Sequence, residues 1–196
     1  MPRKDKTSLT SLLRKITFLL AGLGVGVGHH IKEGEKTSSH TIEESKIQCY
    51  FSPKGGCEQA IIDAIDSARK EIHIYIFSFT LESIAKALKR AQERNVKVYI
   101  IADKTQAKGQ GSQIPKISAW LHDLFIDKQK GVGHHKLVII DRKFVIFGSF
   151  NYSKSAQNVN REAIVRINDE KIAIKFYKEW LRQKAQEKVH AYKAKK

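Results

Sequence analysis

The sequence predicts one α/β domain, a mixed and mostly parallel β-sheet flanked by helices. Two patterns carry this expectation. Short Ile- and Val-rich runs within Glu71–Phe79, Val96–Ala102 and His134–Ile140 read as buried strands. Segments with apolar residues at helical spacing lie between the early strands, and strand–helix alternation implies crossover connections. At 196 residues the chain is long enough for one domain with a real core, not two.

The chain begins with Arg3, Lys4, Lys6, Arg14 and Lys15, followed over residues 16–28 by the uncharged run ITFLLAGLGVGVG. A basic start before a short apolar run has the form of a bacterial export signal. The run is short of the ~20 residues that span a bilayer. Residues 1–28 are therefore read as an export signal or a membrane anchor, with an exported location (periplasmic or secreted) expected. Residues 29–45 are polar and read as a flexible linker, with His29 and His30 as linker residues.

A catalytic domain is expected over residues 46–190. Lys46–Phe51 alternates and reads as a strand. Glu58–Lys70 places Ala60, Ile61, Ala64, Ile65 and Ala68 at helical spacing. The strand Glu71–Phe79 puts Ile72, Ile74 and Ile76 on one face and His73, Tyr75, Phe77 and Phe79 on the other. His73 reads there as a packed or edge residue. Leu81–Arg94 is an amphipathic helix and Val96–Ala102 a buried strand. Asp103–Gln113 is polar and glycine-containing, a loop that either touches substrate or simply connects. Ile114–Leu124 reads as a helix and Phe125–Asp127 as a short strand. A hairpin of His134–Ile140 and Phe144–Phe147 follows, then a strand Glu162–Ile167 and a final helix from about Glu170 to His190. Residues 191–196 form a Lys-rich tail. The basic end of the chain suits either phosphate contacts or a solvated surface.

The chemistry concentrates between His134 and Glu162. His134 and Lys136 are two apart on a strand and share a face, whereas His135 faces away. Asp141 opens the hairpin turn, and Gly148-Ser149-x-Asn151 follows the return strand. An imidazole can attack phosphorus or carry a proton near neutral pH. A lysine beside it neutralises phosphate oxygens. The Gly148 turn offers a hydroxyl, a carboxamide and a backbone that can approach closely.

This spacing, H-x-K-x4-D-x6-G-S-x-N, resembles the HKD motif of the phospholipase D superfamily, with matches at His134, Lys136, Asp141, Gly148, Ser149 and Asn151. Phe51-Ser52-Pro53, Ser78-Phe79-Thr80 and Asn160-Arg161-Glu162 resemble the pattern of the small, single-motif bacterial Nuc-type endonucleases. The resemblance spans about residues 46–185 and also extends to small exported bacterial proteins labelled phospholipase D. It implies a phospholipase D-like fold with one motif per chain, and a homodimer in which two motifs meet. One His134 would act as nucleophile, and His134 of the second copy as general acid and then base. Lys136, Ser149 and Asn151 would bind the substrate phosphate, and Glu162 would fix the imidazole tautomer. Asp141, counted within the catalytic motif, would tie the turn or the dimer contact. No cofactor or metal is implied.

Lys plus Arg number 36 against 20 Asp plus Glu, a formal charge of +16. That excess suits a polyanion, either nucleic acid or an anionic membrane or phospholipid surface. The expected activity is a metal-independent nuclease acting on DNA or RNA through a phosphohistidine. The alternative is a phospholipase D acting on phosphatidyl lipids. Cys49 and Cys57 flank a Pro- and Gly-containing turn, so they are either a disulfide pair in an exported protein or two reduced thiols. Two cysteines without a spaced His or Cys pair are too few for a zinc site.

Overall fold

In a computed structural model of the protein, which describes residues 46–121 and 123–193, eight strands form one sheet. The expected export segment and linker, 1–28 and 29–45, lie outside the described residues, as does the end of the basic tail. The strands are β1 (Ile47–Phe51), β2 (Glu71–Ile76), β3 (Lys97–Asp103), β4 (Leu124–Asp127), β5 (Lys136–Ile140), β6 (Phe144–Gly148), β7 (Ala163–Ile167) and β8 (Val189–Ala191). Their order across the sheet is β1-β7-β6-β5-β2-β3-β4-β8. The helices are α1 (Cys57–Ser67), α2 (Glu82–Glu93), α3 (Ile114–Ile117), α4 (Lys154–Asn158) and α5 (Glu170–Lys184).

The sheet is mixed and flanked by helices as expected, but the balance of pairing differs. Only β2–β3 and β3–β4 are parallel, and the other five pairings are antiparallel. Parallel neighbours need a long crossover, which α2 and the segment before β4 supply. Of the antiparallel pairs, β5–β6 is closed by a short hairpin turn and β6–β7 is joined through α4, while β1–β7, β2–β5 and β4–β8 bring together strands far apart in sequence.

Strand alternation splits the core in two. Ile72, Ile74 and Ile76 of β2 face α1–α4 with Ile100, Val138 and Ile140. Tyr75, Ile101, Leu137 and Ile139 face α5, whose Trp180 donates its indole N–H to Ile74 O at 2.8 Å. His73 lies on this second face, stacked on Tyr99 with ring centroids 4.7 Å apart and edge-on to Tyr177 and Trp180. It is the packed histidine expected of it, and burial lowers its pKa to about 4.

Several boundaries move for identifiable reasons. Helix α1 stops at Ser67 because the N–H groups of Arg69, Lys70 and Glu71 turn to the Asp141 carboxylate instead. Beyond Ile76, Phe77 N still donates to His135 O at 2.9 Å, but Ser78–Thr80 leave the ladder to bond the loop after β6; Phe79 thereby joins the α1–α4 core instead of the α5 face. The helix expected to reach Leu124 ends at Ile117, where the Ser118 hydroxyl donates back to Pro115 O, and Leu124 is taken into β4. The last helix ends at Lys184, not His190, because β8 pairs antiparallel with β4. Helix α4, capped by the Ser153 hydroxyl at Ala156 N, was not anticipated.

Cys49 and Cys57 are not bonded to each other. Cys49 is exposed on β1, on the face opposite Tyr50, and Tyr50 packs on the α1–α4 core that buries Cys57. The two thiols therefore point to different sides of the sheet, which corrects the disulfide alternative.

Candidate active site

Antiparallel pairing of β5 with β2 sets Lys136 beside Ile76, so the start of β5 lies at the carboxyl ends of β2, β3 and β4. In open α/β sheets that edge is where ligands bind. Lys136 shares the face of Ile76, and His134, two residues earlier, emerges exposed at the rim. Both flank the Phe77 ring, the His134 ring at 4.7 Å and Lys136 Nζ at 4.9 Å from its centroid. Lys136 Nζ donates to His134 O at 2.9 Å. His135 faces the other way, against Tyr75, with centroids 4.6 Å apart. Burial lowers its pKa, so neutral imidazole is favoured there.

Lys136 is only 7% exposed. Burial pulls its pKa below the ordinary lysine value, and the Glu162 carboxylate works against that shift. The result is a nearly desolvated ammonium beneath an exposed imidazole, where its attraction for an anion is weakly screened.

The Ser149-x-Asn151 turn is set by alternation. Phe150 and Tyr152 are buried, so Ser149 and Asn151 are left to face the rim. Tyr152 is clamped by the end of the β2 segment: its N–H donates to Ser78 O at 3.0 Å, and its O accepts from Thr80 N at 2.7 Å. Asn151 Oδ1 accepts from Ser78 N at 3.4 Å, a long contact that orients the carboxamide. Ser149 extends the β6–β7 ladder, donating its N–H to Ala163 O at 3.0 Å and accepting Ala163 N on its Oγ at 3.2 Å. Gly148 permits this approach, because a Cβ there would stand 2.1 Å from Ala163 O.

Glu162 enters from the start of β7. Ser52 fixes its backbone: Ser52 N donates to Glu162 O at 3.0 Å, and Glu162 N donates to Ser52 Oγ at 3.2 Å. Its Oε1 accepts from Asn160 Nδ2 at 2.9 Å. Among the described residues no hydrogen bond joins Glu162 to His134, so the tautomer-fixing contact implied by the motif is not made in this conformation of the single chain. The two segments flagged in sequence, Phe51-Ser52-Pro53 and Ser78-Phe79-Thr80, are thus the struts that hold Glu162 and Asn151.

Asp141 stands apart from this group, at the opposite end of β5. Its carboxylate accepts from Arg69 N at 2.9 Å, Lys70 N at 2.7 Å and Glu71 N at 2.9 Å. A residue one full strand away from Lys136 does not reach a phosphate there, and its place is structural.

Support missed in the sequence comes from two buried carboxylates. Asp103 accepts from Gly133 N at 3.0 Å, Thr105 N at 2.8 Å, Gln106 N at 3.1 Å and the Thr105 hydroxyl. Burial pushes its pKa up, but these hydrogen bonds outweigh that and hold it below the ordinary value. Asp127 accepts from the Tyr75 hydroxyl and from Gln129 N at 2.9 Å. Gly133 sits against that pair, with no room for a Cβ beside Tyr75 Oη at 2.6 Å. Together they fix the residue immediately before His134. The sequence signal was an Asp closing each of two buried apolar strands, at Ala102-Asp103 and Ile126-Asp127.

Comparison with known proteins agrees with this geometry. A family model described as cardiolipin synthase, PLD-like domain, matches residues 61–184. A phospholipase D of Rickettsia bellii is 35% identical over 144 residues, covering 74% of this chain and 72% of the relative. The solved structure of Nuc from Salmonella typhimurium, a phospholipase D family member, is 32% identical with a TM-score of 0.68, over 75% of this chain and 97% of Nuc. NucT from Helicobacter pylori shares the fold at 24% identity and a TM-score of 0.64, over 74% of this chain and 99% of NucT. With an imidazole, a buried ammonium and a carboxamide gathered at one sheet edge, the chain belongs to the phospholipase D superfamily, in its Nuc-type branch, and is a phosphodiesterase.

Proposed function

We propose that the protein is a nuclease that hydrolyses DNA or RNA phosphodiester bonds through a phosphohistidine at a homodimer interface. The observation that carries the reading is the exposed His134 over the desolvated Lys136, with no second imidazole facing that rim among the described residues. His134 attacks phosphorus, forming a P–N bond as the P–O bond to the leaving oxygen breaks. That oxygen takes a proton from His134 of the second copy. Water then attacks phosphorus, breaking the P–N bond and releasing the first His134 as neutral imidazole, and gives its proton to the same second imidazole, which is restored to its starting state. Lys136 and Asn151 hold the non-bridging oxygens, and Ser149 supports them. Glu162 swings from Asn160 to the imidazole when the substrate phosphate arrives.

Dimerisation across this rim is supported by two large apolar side chains beside it, Phe51 at 58% and Val159 at 72% exposure. The nucleic-acid reading is supported by the likeness to Nuc and by the +16 charge. The rickettsial relatives' name favours a second reading, release of a headgroup from phosphatidyl lipids.

The test incubates the purified full-length protein with single- and double-stranded DNA, RNA and phosphatidylcholine vesicles in excess chelator, beside a His134→Ala control. Chain cleavage lost in the control is the expected result. Intact polymer with release of phosphatidic acid would replace the nuclease reading by the lipid one. Full activity from a monomer in sedimentation would refute the shared site.

A further inference from the structure

A second feature at the same sheet edge lies outside the motif. A cavity of about 810 Å³ opens beside β4, lined by the turn that carries Lys108 and by Ile126 and Tyr192. Four lysines line it: Lys104, Lys108, Lys128 and Lys193. No Asp or Glu does so among the described residues. Strand periodicity builds this asymmetry. Ile126 and Lys128 alternate onto one face, while Asp103 and Asp127 turn to the other and are spent on backbone N–H groups and Tyr75. None of the four lysines forms an ion pair among the described residues. Lys104 alone is tied, its Nζ donating to Gln129 O.

The position is as informative as the charge. Lys136 and Ile126 both belong to, or border, the α1–α4 face, and the carboxyl edge of β4 is the edge from which His134 emerges. From β5 to β4 there are three strand steps, or about 14 Å at the usual 4.7–4.9 Å spacing. That is a span of at most a few nucleotides, since about 3.4 Å per nucleotide is the smallest advance a stacked strand makes.

We infer that this lysine-lined cavity is a distal subsite for the nucleic-acid strand cut at His134, binding phosphates a few nucleotides from the scissile bond. The inference rests on the nuclease reading above and deepens it. The lysines neutralise backbone phosphates, and Tyr192 with Ile126 in the lining offers apolar contact to a sugar or base. A phospholipid carries its phosphodiester at one point and does not fill both places at once. The Asp103–Gln113 loop, read in sequence as either a connector or a substrate contact, is assigned the second role through Lys108.

The experiment compares two triple variants of the full-length protein. One is Lys108→Gln with Lys128→Gln and Lys193→Gln. The other removes equal charge at the opposite sheet edge, by Lys46→Gln, Lys97→Gln and Lys143→Gln. Substrates are a 20-nucleotide strand and the small diester bis(p-nitrophenyl) phosphate, across a salt series. For the cavity triple, KM for the 20-mer rises about tenfold relative to KM for the small diester. Its salt slope falls by roughly two, near 0.7 per lost phosphate contact. The opposite-edge triple changes that ratio less than twofold. Equal effects of the two triples would mean net charge alone and overturn the subsite. So would an unchanged KM ratio, or a loss confined to flotation with phosphatidylglycerol vesicles. Wild-type protein that leaves the 20-mer intact would sink the nuclease reading and the subsite with it. Wild-type cleavage with an indifferent cavity triple would sink the subsite alone.

Discussion

Asp141 is the motif residue whose role geometry and motif count describe differently, and replacing it separates the two. Its carboxylate receives three backbone N–H groups, from Arg69, Lys70 and Glu71, and its own N–H donates to Glu71 O at 2.9 Å. Hydrogen bonds to a charged group contribute about 1.5–3 kcal/mol each when shielded. Arg69 and Lys70 are exposed, so water replaces most of their loss; Glu71 is half-buried and keeps the full cost. The sum comes to about 3 kcal/mol for Asp141→Gly. Asp141 also has φ of 52°, which glycine tolerates and alanine does not. Asp141→Ala is therefore expected to cost about 1 kcal/mol more than Asp141→Gly. Asp141→Asn keeps one acceptor oxygen and the turn, and loses roughly half as much. Urea unfolding at pH 7 measures all three. Turnover of bis(p-nitrophenyl) phosphate per folded molecule is expected to stay within about threefold of wild type. A variant that unfolds like wild type but has lost turnover a hundredfold would refute the structural assignment and put Asp141 in the chemistry.

Three further outcomes follow from the same contacts. Lys136→Met is expected to reduce turnover by about 10²–10³ with stability equal to or above wild type, because a desolvated cation is exchanged for an apolar side chain of similar length; a loss of stability in urea would show that the ammonium holds the fold. Gly148→Ala forces a Cβ against Ala163 O and Ile164 Cα, both backbone, so β7 must shift; roughly 2–3 kcal/mol of stability and most activity should go together, and an active, stable variant would contradict the close approach. His73 is held neutral with a pKa of about 4, so the unfolded chain binds its proton first as pH falls. Wild-type stability is expected to drop by about 3 kcal/mol from this group as pH falls from ~6.5 towards 4, and to level off below. His73→Phe keeps the stack on Tyr99 and should flatten that part of the unfolding profile; an unchanged acid slope would refute it.

The placement of the candidate-site residues was legible because they obey local rules. His134 and Lys136 share a face by strand alternation. The Ser149-x-Asn151 turn faces outward because Phe150 and Tyr152 face inward. The N-terminal strand and helix order also followed from periodicity, and β2, α2 and β3 came within a few residues of expectation. The failures share a different cause. The end of α1, the departure of Ser78–Thr80 from β2 and the pairing of β8 with β4 all depend on partners far away in sequence, Asp141 for Lys70, Tyr152 for Ser78 and Val189 for Asp127. No window of residues contains those partners.

By itself, the sequence determined the α/β class, the HKD residues and the side of the strand they occupy, because alternation and motif spacing are properties of neighbouring residues. Only the tertiary structure decided that Asp141 belongs to the far end of β5, that Cys49 and Cys57 face opposite sides, and that Asp103, Asp127 and Tyr75 brace the approach to His134. Only it gathered four lysines around one cavity on the carboxyl edge. The physical reason is that a buried carboxylate or a cluster of like charges is defined by what surrounds it in space. Strand order sets those surroundings, and strand order is the outcome of long-range pairing.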